Sequence, residues 1–410
     1  MTHPPYAARV EFVIELATRL HIYGTTAQRL EGAISAVATR LGLRCEPWSN
    51  PTGLILSFSD ASRPETLANT TQVIRLAPGE VDLRKLCEVD AIAERVLRGE
   101  TGVSEAVVAL HALDAPAPMR DRVLSTLAFG LTSAAVATLL RGTLADVMVA
   151  GGVGLLIGVL YAFAAGHARL TEALELIAAL LATLLATAVA TFLLPLSLKT
   201  VIVASLIVLL PGMMLTNAVS ELTSQHLVSG MARFSGAMAL LLKLAFGSMM
   251  ASQFILLLHW SPIAHVDGQM LPGWSEGAAL LAAALAFAVL FKAAWRDYPL
   301  VMAAAVTGYL ITRIVGVWLP GSASVFLASV VVTLFSNIYA RAANRPGALI
   351  RVPGIILMVP GSVGFRGVSS MFEQNVVLGL DTAVNLTTIL VALVGGMLIG
   401  NVLLPARRNL

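Results

Sequence analysis

From residue 123 to the end the chain alternates long apolar runs with short polar breaks. The runs last about 18 to 24 residues and fall near 123-140, 144-166, 173-197, 200-220, 234-258, 275-291, 298-318, 321-340, 349-369 and 379-404. At 1.5 Å per helical residue, each can cross a hydrocarbon layer of about 30 Å. The first part of the chain has a different rhythm. Ala8 to Ile22 and Ala27 to Leu41 read as amphipathic helices, the second with Leu30, Ile34, Val37 and Leu41 on one face and Gly42 as its stop signal. Two strand-like runs follow, Gly53 to Phe58 and Thr71 to Leu76, and then helices around Val81 to Arg98 and Ser104 to Leu113. This order predicts a small soluble α/β domain, closed by the linker Ala115-Pro116-Ala117-Pro118.

Composition turns the apolar runs into membrane spans. A mean hydropathy of +0.82, with 57% hydrophobic and 12% charged residues, lies far from soluble domains, in which roughly 25% of residues are charged. Residues 1 to 122 carry 28 of the 51 charges, and the other 288 residues carry 23. Arg9, Glu11, Glu15 and Arg19 interrupt any signal-peptide core, so the N-terminus is expected to stay in the cytoplasm. Basic loop residues then test the orientation. On the inner side fall Arg120, Arg122, Arg169, Arg233, Lys292, Arg296, Arg341, Arg345, Arg351, Arg407 and Arg408, against Arg141 and Lys199 outside. This topology accounts for the net charge of +3 without a nucleic-acid partner. The two cysteines, Cys45 and Cys87, have neither a redox nor a zinc-site spacing and read as reduced packing residues.

Ten spans with both ends inside divide into five plus five, and an odd number per half forces the second half to cross in the opposite sense. The expected fold is therefore a membrane all-α protein with ten transmembrane helices as an inverted 5+5 repeat, preceded by the α/β domain. Its boundaries are 1-118, 119-260 and 261-410. The repeat is visible in residues: the fourth run reads Ile207-Val-Leu-Leu-Pro-Gly-Met-Met-Leu and the ninth Ile356-Leu-Met-Val-Pro-Gly-Ser-Val-Gly. Pro211 lies 12 residues from Lys199 and Pro360 lies 11 from Leu349, which puts both about 17 Å deep, near the midplane.

Proline removes a backbone donor and glycine loosens the chain, so a Pro-Gly pair inside a span frees carbonyls that a cavity must satisfy. Helices restarting after Gly212 and Gly361 would present positive N-terminal ends at the membrane centre, suited to a carboxylate. Pro211, Gly212, Pro360, Gly361 and Ser362 are thus candidate substrate-binding residues. Asn217 and Glu221 follow the first break and Arg366 the second, where they could grip an ammonium, hydroxyl or carboxylate group. Charges inside a span cost at least about 2.5 kcal/mol at its centre, so Lys243 and Arg313 join Glu221 as pathway or coupling candidates, with snorkelling the plainer account of Arg313. His226, His259 and His265 sit at span ends without metal-ligand spacing, and no metal or other cofactor is expected.

These residues resemble the threonine/serine exporter family. The soluble part matches through Leu20-His-Ile-Tyr-Gly, Glu31, Leu41-Gly-Leu, Val81-Asp-Leu and Leu97-Arg-Gly. The membrane part matches through Ala204-Ser-Leu-Ile-Val-Leu-Leu-Pro-Gly, Asn217, Glu221, Ser229-Gly, Arg233, Pro346-Gly, Val352-Pro-Gly and Met358-Val-Pro-Gly-Ser. The family commonly has an aspartate where Glu221 stands and a tyrosine where Phe365 stands. The resemblance implies export of small hydroxylated amino acids, threonine or serine, from a bacterial plasma (inner) membrane, driven by protons. It leaves a homo-oligomer open, and membrane lipid is the surrounding partner. No GxxxxGK[ST] motif is present for nucleotide. Two other classes are a membrane-embedded hydrolase and a ligand-sensing membrane protein. The first lacks GxSxG, HExxH and a membrane-depth carboxylate pair, and the second has no use for ten spans.

Overall fold

The computed structural model describes residues 5–60, 70–263, 271–319, 321–372 and 375–406. His265, Arg407 and Arg408 lie outside the described residues. The N-terminal layer consists of α1 (Tyr6–Ile22), α2 (Ala27–Arg40), β1 (Leu43–Asn50), β2 (Gly53–Asp60), β3 (Thr70–Arg75), α3 (Leu83–Leu97) and α4 (Val103–Ala112). Its strands form an antiparallel sheet in the order β1-β2-β3, with Cys45 opposite Phe58 and Leu54 opposite Ile74. The helical spacing of Leu30, Ile34 and Val37 buries one face of α2, and Phe12, Leu16, Leu20, Leu56 and Leu83 close the core around it. β1 escapes the sequence pattern because it carries Pro47 and several polar residues, Arg44, Glu46, Ser49 and Asn50. Its place at the sheet edge tolerates a missing ladder donor.

The remaining helices are α5 (Met119–Leu139), α6 (Leu144–Ala164), α7 (Ala168–Phe192), α8 (Leu198–Leu206), α9 (Gly212–Thr223), α10 (Leu227–Leu257), α11 (Trp274–Leu290), α12 (Tyr298–Val315), α13 (Gly321–Ala343), α14 (Ala348–Ile356), α15 (Gly361–Phe372) and α16 (Val376–Leu403). Among the described residues, eight helical runs are long and apolar enough to cross a membrane, with Ala348–Phe372 (α14 and α15) counted as one, and nine if the bent run from Leu198 to Thr223 also counts as one. α11 is apolar but only 17 residues long, about 25 Å. The chain is a multi-pass, all-helical membrane protein over this region. Small residues let these helices pack closely: Ala178, Ala182 and Ala186 line the buried face of α7, and Ser329, Thr333 and Ser336 that of α13.

The N-terminal layer is not a loose appendage. Its apolar core continues into Ala288, Val301, Ala348 and Leu349 of the helical part. Polar ties join the two at several places. The Leu83 N–H donates to the Phe291 carbonyl at 2.9 Å, and the Tyr161 hydroxyl donates to Glu80 at 2.9 Å. His226 Nε2 lies 3.1 Å from Glu31.

Burial pushes the thiols of Cys45 and Cys87 up to about 12. Both are therefore expected to be almost wholly protonated at pH 8 and to react with iodoacetamide only slowly in the folded protein. Labelling should rise sharply on unfolding, and rapid labelling of the folded chain would contradict this burial.

Candidate functional site

Two helix interruptions build the centre of the molecule. After α8 a single 3-10 turn, Ile207–Leu209, leads to Leu210 and Pro211, and α9 departs at 59°. Pro211 has φ −78° and ψ 41°, and the Gly212 N–H turns back to the Leu210 carbonyl at 2.8 Å. This is a three-residue turn of the inverse γ kind, which a proline at its middle favours by fixing φ. In the second half, α14 ends at Ile356 and α15 begins at Gly361, with Pro360 between.

The two interruptions meet. A Cβ placed on Gly361 would lie 3.2 Å from Gly212 Cα and 3.3 Å from Gly212 N, and one placed on Gly212 would lie 2.3 Å from Val359 Cγ1. A Cβ at either position would crowd this approach of two backbones. Since α9 and α15 both start here, their first-turn N–H groups and the positive ends of both helix dipoles converge on one place.

Cavities flank this contact on both sides. One, of about 300 Å³, is lined by Thr25, Arg29, Asn217, Ser220, Arg351 and Asn401, among others. A second, of about 430 Å³, is lined by Lys199, Ser248, Arg366, Ser369, Thr382 and Asn385. A third, of about 630 Å³, holds Tyr309, Thr312 and Arg313 and shares Asn385. α16 borders all three: Met397 to Val402 on the first, and Leu378 to Ile389 on the others. Asn385 and Met397 are 12 residues apart, about 18 Å along the helix, and Gly364, three residues past Gly361, faces Leu386 of the same helix. Met213, just after Gly212, lines the first cavity, and Val363, just after Gly361, lines the second.

Comparison with known proteins adds family to geometry. A family model described as threonine/serine exporter matches residues 11–255, and a second, threonine/serine exporter ThrE, matches residues 277–403. The chain belongs to the threonine/serine exporter family. Among curated relatives, the pheromone-regulated membrane protein 10 of Eremothecium gossypii is 24% identical over 92% of this chain and 52% of its own length. Its counterparts in Pichia sorbitophila and Saccharomyces cerevisiae are each 23% identical, over 92% and 93% of this chain and 38% and 50% of their own. This exporter-family chain thus spans about half or less of these yeast relatives. No solved structure matches it.

Within this family member the candidate residues divide. Pro211, Gly212, Pro360 and Gly361 form the central contact, and the Ser362 carbonyl accepts from Arg366 Nε at 3.4 Å. Asn217 lines the first cavity, Arg366 the second and Arg313 the third. Arg313 pairs there with Glu276 at 3.2 Å. Lys243 lies apart from all three, donating to the Glu172 carbonyl at 2.8 Å and pairing with Glu175 at 3.3 Å, so it fastens α10 to α7. Glu221 is also absent from the cavities. It is 1% exposed and accepts from Arg233 Nε at 2.9 Å, from the Ser229 hydroxyl at 2.7 Å and from the Ala27 N–H at 2.9 Å. Arg29 and Arg351 are cavity residues that the sequence reading did not single out. Arg351 entered it only as a topology-setting charge, and Arg29 sits on the polar side of an amphipathic helix, where nothing in the pattern marks it. Among the described residues, no group of three His, Cys, Asp or Glu side chains could hold a metal ion.

Proposed function

We propose that this chain is a secondary exporter of small hydroxylated amino acids such as threonine and serine, a carrier and not an enzyme, driven by the proton motive force. The contact of Gly212 with Gly361 between cavities at opposite levels of α16 carries the reading. A carrier needs one barrier between two vestibules, with polar groups on both sides and a joint that can open. Two half-helices meeting end to end at flexible Pro-Gly turns supply such a joint, and rocking of one five-helix module against the other would move it.

Ten spans in an inverted 5+5 arrangement fit the contacts of the N-terminal layer. Tyr161, His226, Phe291 and Ala348, all held against that layer, fall at the ends of the second, fourth, sixth and eighth expected spans. Ends separated by two crossings belong on one side, which on the positive-inside reading is the cytoplasm of a plasma membrane. Glu221 is the carboxylate proposed to take up the coupling proton, which would have to displace it from Arg233.

Proteoliposomes loaded with radiolabelled threonine test both parts. Imposing a pH gradient is expected to speed threonine efflux several-fold over protein-free vesicles, and a protonophore should remove the gain. Efflux equal to that of empty vesicles would overturn the exporter reading. Efflux indifferent to the protonophore would remove the proton coupling and leave the transport.

A further inference from the structure

The cavity of about 300 Å³ is walled by two parts of the chain that are far apart in sequence. Tyr23, Thr25 and Arg29 come from the N-terminal layer, and Asn217, Arg351 and Asn401 from α9, α14 and α16. No aspartate or glutamate lines it. Two arginines therefore line one enclosure without a carboxylate among its walls. Among the described residues, neither the Arg29 nor the Arg351 side chain makes a hydrogen bond or ion pair. Burial alone lowers Arg29 to about 10, which leaves it charged at neutral pH and uncompensated. Two hydroxyls in the same wall, those of Tyr23 and Thr25, are buried without a partner.

A desolvated cation without a partner is costly, as is a buried hydroxyl with none. Elsewhere in this chain several arginines are paired with carboxylates: Arg233 with Glu221, Arg345 with Asp297, and Arg19 with Glu15 and Asp114. Arg29 and Arg351, half-buried at this cavity, have no such carboxylate and are open to an anion from outside. A guanidinium is suited to a carboxylate, which it can bind through two N–H groups at once. The volume selects size, since about 300 Å³ is the lower end of ligand pockets and suits a molecule with few non-hydrogen atoms. The side-chain oxygens of Thr25, Asn217 and Ser220 could accept from an ammonium or hydroxyl group.

We infer that Arg29 and Arg351 together form a carboxylate-binding site for a small α-amino acid, shared between the N-terminal layer and the helical bundle. The N-terminal layer is then half of a ligand site and not merely a cover. The ligand's class rests on the exporter reading, while the anion site rests on the cavity itself. A site split this way also couples ligand to docking, because a carboxylate bridging Arg29 and Arg351 would tie the N-terminal layer to the helical bundle.

The test uses the purified full chain in detergent and calorimetric titration with L-serine, serinol and inorganic phosphate. Serine is expected to bind, and serinol, which replaces the carboxylate with a hydroxymethyl group, at least about tenfold more weakly. Arg29→Gln and Arg351→Gln should each weaken serine binding about tenfold or more, with Arg351→Lys recovering part of the loss. Equal binding of serine and serinol, phosphate binding as tight as serine, or unchanged binding by both glutamine variants would each overturn the site. To guard against misfolded variants, wild-type protein is also treated with phenylglyoxal with and without serine. Serine should protect Arg29 and Arg351 from modification, and absence of protection would overturn the proposal. Serine binding without vesicle export would count against the exporter reading alone, whereas export that persists with both arginine variants binding normally would count against this site alone.

Discussion

Gly361→Leu is expected to abolish threonine export while leaving the protein folded and inserted. The reason is the clearance between two backbones. Even a single Cβ at 361 would stand 3.2 Å from Gly212 Cα and from Leu210 Cβ, closer than atoms pack comfortably. Main chain is the obstacle, so no side-chain rotation relieves it. Overpacking of this kind costs about 1–3 kcal/mol for small additions, which alone shifts a two-state balance about 5- to 150-fold. A carrier must pass through its closed contact in every cycle, so a shift of that size slows each turnover. Gly361→Ala should then retain a measurable fraction of export, and leucine, with three more carbons in the same gap, none. Gly212 offers a graded comparison. Its built Cβ meets Val359 Cγ1 at 2.3 Å, and Gly212→Ala combined with Val359→Ala should restore part of what Gly212→Ala alone loses. Vesicle efflux supplies the rates, and elution as a single detergent-solubilised species checks the fold. Wild-type efflux from Gly361→Leu would remove the glycine contact from the mechanism.

Much of this site could be read in one dimension, and the part that could not has a physical reason. Hydropathy located the apolar segments because lipid sets a minimum length for each. The two Pro-Gly pairs were legible because proline removes a backbone donor and glycine loosens the chain, although Pro353-Gly354 shows that such a pair can also sit inside a helix. Their matching depth was also a matter of counting residues. Their contact across 149 residues of chain was not readable, since it depends on how the helices assemble. The same limit applies to charge. Lys243 and Glu221 both look anomalous inside or beside a span, and a burial cost alone cannot distinguish a residue facing a pathway from one paired with a neighbour. In the fold Lys243 finds Glu175, and Glu221 finds Arg233, 12 positions on, after the chain has turned into the next helix. Arg29 and Arg351 show the converse. Each sits where a solvated arginine is ordinary, and only the folded chain brings both to the wall of one cavity.

Removing the Glu221 side chain is expected to have the largest effect on stability. Glu221→Ala should cost about 3–5 kcal/mol, the usual penalty for leaving one member of a buried ion pair behind. Arg233, 8% exposed, would keep its charge in place without a counter-ion. The surroundings explain why a neutral isostere does not help. The carboxylate accepts from Arg233 Nε, the Ser229 hydroxyl and the Ala27 N–H. The amide of Glu221→Gln could turn its NH₂ to the Ser229 hydroxyl, which can accept, but it would leave the Arg233 guanidinium without a counter-charge. Glu221→Asp keeps the charge on a shorter arm and should cost less than either change. The Ala27 bond adds a consequence beyond the helical bundle. Ala27 opens α2, Thr26 makes no side-chain cap, and Glu221 supplies both the acceptor and the negative charge that a helix start attracts. Loss of the carboxylate should therefore loosen α2 first, seen as faster amide exchange across its first turn and as a lower melting temperature in detergent. If the pair is what matters, replacing Arg233 with methionine in the Glu221→Ala background should recover stability relative to the single variant, because it removes the stranded charge. Additive losses in the double variant would mean that the two residues act separately.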